Sequence, residues 1–301
     1  MMRILITGKN SYIGRAVSKY LRSFNKGDEK KYDVDVISLR DPSYKDKSFA
    51  GYDTILHMVG KAHVDIGSVS REEKKEYYRI NCDLAEEVAA KAKREGVKQF
   101  VYMSSVIVYG EMSKVGTPYL ITADTPANPS NFYGNSKLMA ELKLNKLADD
   151  NFKVALVRCP MVYGQDIGHN FRVLEKLAMA LPVFPDIKNQ RSMIYIENLT
   201  EFLRLLCESG EGGLFFPQDS ECITTSNMVK MIAKHKGKKI IISPLLNPFV
   251  KLCAHMPGKI GGMANKAFGS LAVDKSLSDQ RIKGYRRFTP EESIERCFKK
   301  K

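Results

Sequence analysis

Tyr133 and Lys137 stand four residues apart in "NFYGNSK", a spacing that puts both on one face of a helix. An ammonium beside a phenol favours the phenolate and so lowers the phenol's pKa. Such a pair can pass a proton to or from a hydroxyl oxygen while a hydride moves to or from the carbon that bears it. Upstream, "FVYMSSVIVYG" ends a strand-like run at Ser104 and Ser105, where a hydroxyl can hold a reacting oxygen toward Tyr133. Taken alone, a Tyr–Lys pair at this spacing is common and mostly structural.

The pair gains meaning from "ILITGKNSYIG" near the start of the chain. A short apolar strand runs into Gly8, and a helix begins around Gly14. Free backbone N–H groups and the positive end of a helix then meet at one point, which suits a pyrophosphate. Gly8 can take the tight turn and Gly14 lets the helix approach the sheet. Ser11 occupies the place of a middle glycine, with less backbone freedom but a hydroxyl that can donate to phosphate. Together with Tyr12 and Ile13 these residues predict a dinucleotide cradle. The second strand ends in Arg40 and Asp41. An acid there favours NAD, whereas an arginine meets the extra phosphate of NADP. A one-residue change of register exchanges their faces, so the sequence leaves NAD or NADP open, with Arg40 a hint of NADP.

The elements that must position these residues alternate. Strands are expected at Met2–Thr7 and within "KYDVDVISLR", "YDTILHMVG", "VKQFVYMSS" and "FKVALVRC". Helices are expected at Arg15–Phe24, Glu76–Glu95 and Phe132–Leu147. This order predicts an α/β fold, a doubly wound parallel sheet of Rossmann-like type, over residues 1–160. Residues 161–301 are expected to form mainly a smaller substrate-binding lobe, with some segments returning to the main sheet. "MVYGQDIG" reads as a loop there.

Composition narrows the function. The chain has 301 residues and a formal charge of +14. From Met228 onward there are 17 Lys or Arg against 5 Asp or Glu, so the excess is concentrated at one end. No finger spacing or aromatic–basic platform accompanies it, and no nucleic-acid partner is predicted. His57, His63, His169, His235 and His255 form no metal signature, and no metal is expected. The scattered cysteines suit free thiols in a reducing compartment. The start "MMRILITG" carries no signal-peptide pattern, so a cytoplasmic location is expected. The apolar-basic stretch Leu245–Lys266 could lie on a membrane surface, a weak peripheral contact, or pack within the C-terminal lobe.

These motifs resemble the extended short-chain dehydrogenase/reductase family, and within it the nucleotide-sugar epimerases and dehydratases, over most of the chain. "ITGKNSYIG" resembles the family's cofactor turn and "HMVGKAH", from His57, the strand end that borders the cofactor. Asn81 matches a structural asparagine of that pocket, and Ser105, Tyr133 and Lys137 match the catalytic serine, tyrosine and lysine. "VRCPMVYG" resembles the loop that places Pro160 beside nicotinamide and sugar. Arg191, in "QRSMIYIENLTEFL", matches an arginine that approaches the nucleotide diphosphate. Val106 falls beside the sugar. The resemblance implies a nucleotide-diphosphate sugar, UDP-linked, as substrate, and a homodimer built on Glu76–Glu95 and Phe132–Leu147.

Departures from the family pattern choose among its reactions. Val106 and Ile107 stand where a dehydratase carries an Asp–Glu pair, and neither can supply an acid or base. The stretch from Arg40 to Asp53 is too short for the usual third strand and its adenine-contacting acid. "GSLAVD" at Gly269–Asp274 resembles enzymes that make N-acetylated deoxysugars for surface polysaccharides. The leading expectation is a 4-epimerase like those of UDP-glucose, working through a 4-keto intermediate. The alternative is an NADPH-dependent reductase of a UDP-4-keto-(N-acetyl)deoxyhexose.

Overall fold

The computed structural model describes residues 1–25, 27, 29–62, 69–165 and 169–298, leaving out the side chains of 169–171. His63, the side chain of His169 and the 166–168 part of "MVYGQDIG" therefore lie outside the described residues. The chain divides into two compact units, one of residues 1–110, 126–159 and 199–217, the other of residues 111–125, 160–198 and 218–301.

The first unit holds six parallel strands in the order Gly213–Phe215, Lys153–Cys159, Gln99–Ser105, Thr54–His57, Met2–Thr7, Tyr32–Ile37. Leu5, Ile55, Phe100, Val154 and Leu156 point to one face, against Ala85, Val88 and Ala92 of helix Leu84–Arg94 and Ala140 and Leu144 of helix Phe132–Leu147. Ile4 and Ile6 alternate to the opposite side and are fully buried, as are Val17 and Leu21 of helix Tyr12–Arg22. The chain is thus a doubly wound, Rossmann-like parallel sheet. Strand order reverses between Met2–Thr7 and Thr54–His57, and a crevice at such a reversal is where open α/β sheets hold ligands.

Two helices differ from the sequence expectation for local reasons. The first begins at Tyr12 rather than Arg15, because the Ser11 side chain caps it by accepting from the Gly14 N–H at 3.2 Å. The expected helix Glu76–Glu95 is broken in two. Arg71–Tyr78 passes through a π-helical turn, Arg79–Asp83, into Leu84–Arg94. That wide turn carries Asn81, and such bulges often sit at functional positions.

The second unit has three short parallel pairs: Met161–Tyr163 with Met193–Tyr195, Val183–Pro185 with Ile241–Ser243, and Leu120–Ile121 with Ala272–Val273. Met161–Tyr163 was expected as loop; pairing with a strand thirty residues away in sequence makes it β structure, a contact that local pattern cannot show. Tyr163 is anchored by donating to the buried Asp219 carboxylate at 2.7 Å. Among the described residues no helix is long and apolar enough to cross a membrane.

Candidate active site

The turn after the first strand is tied to its neighbour, with the Gly8 and Lys9 N–H groups donating to the Ile37 carbonyl at 2.9 and 3.1 Å. Gly8 has φ +98°, and a Cβ there would lie 3.1 Å from the Met58 carbonyl. A Cβ on Gly14 would meet the Gly8 carbonyl oxygen at 3.1 Å. Both glycines are therefore demanded by close backbone approach. Ser11 is different: φ −65° and ψ 134° are ordinary extended values that any L-residue adopts. The position needs no glycine here, and Tyr12 and Ile13 open the helix directly behind it. A helix N-terminus facing a glycine turn at the strand-order reversal fits the pyrophosphate of a dinucleotide.

His57 ends the third strand with its ring fully buried, Nδ1 3.1 Å from the Thr7 hydroxyl and stacked on Tyr102. Nε2 has no partner among the described residues. Burial, reinforced by the charge of Lys137, drops its pKa to about 3, so the imidazole is neutral. Asn81 joins two parts of the site. Its side chain accepts from the Lys61 N–H at 2.8 Å and donates to the Lys61 carbonyl and to the Ser136 hydroxyl. Ser136 in turn donates to the Tyr133 carbonyl. The loop after the third strand and the helix bearing Tyr133 are locked together through one amide.

Helix Phe132–Leu147 starts where Asn131 accepts from the Gly134 N–H at 2.9 Å. The Ser105 hydroxyl lies beside the Tyr133 phenol, and its oxygen accepts from the Ile107 N–H at 3.3 Å. Ser104, its neighbour, is committed elsewhere: it donates to buried Glu141. Burial pushes the Tyr133 phenol up to about 12, and the Ser105 contact opposes this. This differs from the sequence expectation that Lys137 makes the phenol acidic. The Lys137 ammonium instead donates to the Met103 carbonyl at 2.8 Å and lies 4.6 Å from the centre of the Tyr102 ring. Desolvation lowers Lys137 to about 8, partly offset by Glu141.

The remaining expected residues are more scattered. Arg40 is exposed, and among the described residues no carboxylate pairs with it. It borders an open cleft of about 310 Å³ with Lys45, Arg79, Asp83 and Glu87. The Asp41 carboxylate caps the next short turn, accepting from the Ser43 N–H at 2.9 Å. Val106 is buried in the 3-10 turn Val106–Tyr109 that follows Ser105. Pro160 is buried between strands Lys153–Cys159 and Met161–Tyr163. Arg191 belongs to the second unit, where its guanidinium is nearly buried with a long 3.4 Å bond to the Ala267 carbonyl. Desolvation pulls it down to about 10. Lys61, in the loop after the third strand, is held in ion pairs by Glu73 and Glu76.

Sequence reasoning missed two neighbours of Lys137. A Cβ on Gly60 would lie 3.0 Å from the Lys137 Nζ and 3.4 Å from Asn81 Oδ1, so Gly60 makes room for the ammonium. Glu141 takes Ser104 and a bidentate contact from Arg158. Its signal was in the spacing: Tyr133, Lys137 and Glu141 are successive fours on one helix stripe.

A parallel sheet with a glycine turn at its order reversal, and Ser105 and Tyr133 beside a buried lysine, is a Rossmann-like fold with polar groups gathered at one strand end. Residues 4–215 match the model of the NAD dependent epimerase/dehydratase family, and the chain belongs to that family of enzymes. It is 28% identical to a UDP-glucose 4-epimerase of Vibrio cholerae, over 98% of this chain and 93% of that protein. It is 25% identical to the N-acetyl-alpha-D-glucosaminyl-diphospho-ditrans,octacis-undecaprenol 4-epimerase of Escherichia coli O157:H7, covering 90% and 84%. A UDP-glucuronic acid 4-epimerase of Bacillus cereus superposes with a TM-score of 0.73 at 17% identity, covering 98% of this chain and 97% of that one, which speaks for the fold alone.

Proposed function

We propose that this enzyme is an NAD(P)-dependent 4-epimerase of a diphosphate-linked, UDP-type sugar. The observation that carries the reading is the Tyr133 phenol beside the strand-end Ser105, with Lys137 one turn further along the Tyr133 helix and packed against Gly60. Gly8, Ser11, Tyr12, Ile13 and Gly14 would hold the dinucleotide's phosphates, while His57 and Asn81, fully buried, would act by fixing the strand end and loop beside it and Pro160 would border the nicotinamide. Bound there, a nicotinamide dinucleotide supplies the hydride acceptor and donor for C4 of the sugar. Tyr133 takes the proton of the 4-hydroxyl and returns one when the keto group is reduced from its other face. With its phenol at about 12, Tyr133 is a proton donor at neutral pH, the form that reduction needs. The neighbouring Ser105 hydroxyl favours the phenolate that oxidation needs and would steady the sugar oxygen. Lys137 keeps a positive charge beside the site, and Arg191 would serve the diphosphate. The similarity to two 4-epimerases across nearly the whole chain supports this assignment.

A second reading, an NADPH-dependent 4-keto-sugar reductase, has one observation in its favour. Asp41 is occupied as a cap while exposed Arg40 borders an open cleft of mixed charge, which leaves its guanidinium available to the additional phosphate of NADP. One assay separates them. Epimerisation of a UDP-sugar with no net change in nicotinamide absorbance supports the first; stoichiometric NADPH oxidation on a 4-keto sugar replaces it with the second. In either, Tyr133→Phe is expected to lower turnover on the order of 10²–10⁴-fold while dinucleotide binding persists. Turnover unchanged by that substitution would remove Tyr133 from the chemistry.

A further inference from the structure

In the second unit, helix Asn247–His255 is followed by a turn at Gly258, with φ +74°, and then by helix Lys259–Phe268. The pair packs inward through Val250, Ala254, Ala264 and Phe268, against Val115 and Ile187. Its other side is left apolar. Leu245 is 87% exposed, Phe249 66%, Leu252 65% and Met263 72%, with Met256 and Ile260 also exposed. Phe249 and Leu252 share one face of helix Asn247–His255, with Leu245 in the 3-10 turn before it and Met256 at its C-terminal cap. Single exposed apolar residues are ordinary, but six large ones within nineteen positions of one helix pair are an unusual concentration.

Charge selects the occupant. From Cys222 to Val273 the sequence contains eight lysines, two histidines and no aspartate or glutamate. Lys251, Lys259 and Lys266 flank these apolar residues and are exposed, and among the described residues no carboxylate pairs with them. A second copy of this face would set lysines against lysines with no acid to compensate. A bilayer with anionic headgroups answers both features at once, the apolar side chains entering the acyl boundary and the ammonium groups meeting phosphate. The break at Pro257–Gly258 does not prevent this, because two short helices joined by a tight turn can lie flat side by side.

We propose that the hairpin Leu245–Phe268 docks this enzyme on an anionic lipid surface. The proposal is independent of the reaction assigned above, since no residue of the hairpin belongs to the Ser105–Tyr133–Lys137 site. The test is co-sedimentation of the full-length protein with phosphatidylcholine vesicles, with and without phosphatidylglycerol. The expected result is partition into the anionic vesicles and little into the neutral ones. Phe249→Glu/Leu252→Glu is expected to weaken that partition at least about tenfold. Lys251→Gln/Lys259→Gln should weaken it roughly 10- to 30-fold and flatten its salt dependence. Both variants change exposed side chains, so thermal melting in the absence of vesicles checks that the fold is intact. Absence of wild-type binding overturns the proposal, as does equal binding by the glutamate variant, which would leave charge alone. A glutamate variant that only converts a dimer to monomer, without vesicle binding by either form, assigns the surface to a second copy instead.

Discussion

Burial holds Lys137 at about 8 and His57 at about 3, each below its ordinary value, and each makes stability rise with pH in its own window. Between pH 8 and the usual lysine range, the unfolded chain keeps a proton on Lys137 that the folded chain has lost. Stability therefore rises with pH in that window, by up to about 3 kcal/mol. Activity should move the other way, because the site loses its positive charge. Turnover is expected to fall about tenfold per pH unit above pH 8, and Lys137→Arg to shift that fall to higher pH. A rate profile flat to pH 10 in the wild type would exclude a charged Lys137 from the mechanism. His57 is neutral in the fold and protonates in the unfolded chain as pH drops through 6.5. Its contribution is intact above that value and is lost toward pH 3. Urea midpoints at pH 7 and 4.5 should show the wild type losing about 3 kcal/mol more than His57→Gln across that interval. At this scale spacing identified the Tyr133–Lys137 pair, while the pKa of each group came from burial, which no spacing reveals.

At the scale of elements, the cofactor turn shows how a departure from a pattern can be benign. Ser11 lies at negative φ and its hydroxyl caps the helix, so the missing glycine is replaced by a residue that stabilises the same start. Ser11→Ala is expected to cost about 1 kcal/mol and Ser11→Gly only a few tenths, read from chemical denaturation. A large penalty for glycine alone would mean that backbone freedom, not the cap, governs the turn. Gly134 is the stricter position. A Cβ there would lie 2.7 Å from the Ile107 carbonyl oxygen, so this glycine sets the approach of the Tyr133 helix to the turn after Ser105. The strands and the glycine turn were legible because apolar runs and glycine punctuation are local signals. The π-helical turn at Arg79–Asp83 was not, since Asn81 is fixed by partners at Lys61 and Ser136.

For the whole molecule, the distribution of exposed apolar side chains separates two kinds of association. On helix Phe132–Leu147, Leu142 is 57% exposed and Met139 is also open to solvent. Their charged neighbour Lys143 pairs internally with Asp83 and Glu86, so this face is charge-balanced. It suits a second copy of the chain, as the hairpin face does not. We propose that this face pairs two copies: analytical ultracentrifugation is expected to find a dimer for the wild type and a monomer for Leu142→Glu, with secondary structure retained. An unchanged dimer would place the interface elsewhere.

The sequence by itself determined the parallel α/β class, the glycine turn, and the residue types available for proton and hydride chemistry. Those are properties of local pattern: apolar periodicity, glycine at forced backbone positions and side chains four apart on a helix. Only the tertiary structure decided that Ser104 is committed to Glu141, and that Gly60 and Glu141 flank Lys137. It also gave Asp41 a cap to serve and left Arg40 exposed. The physical reason is common to all of these. Each depends on which atoms lose water and which partners they find from distant parts of the chain, and that is set by packing.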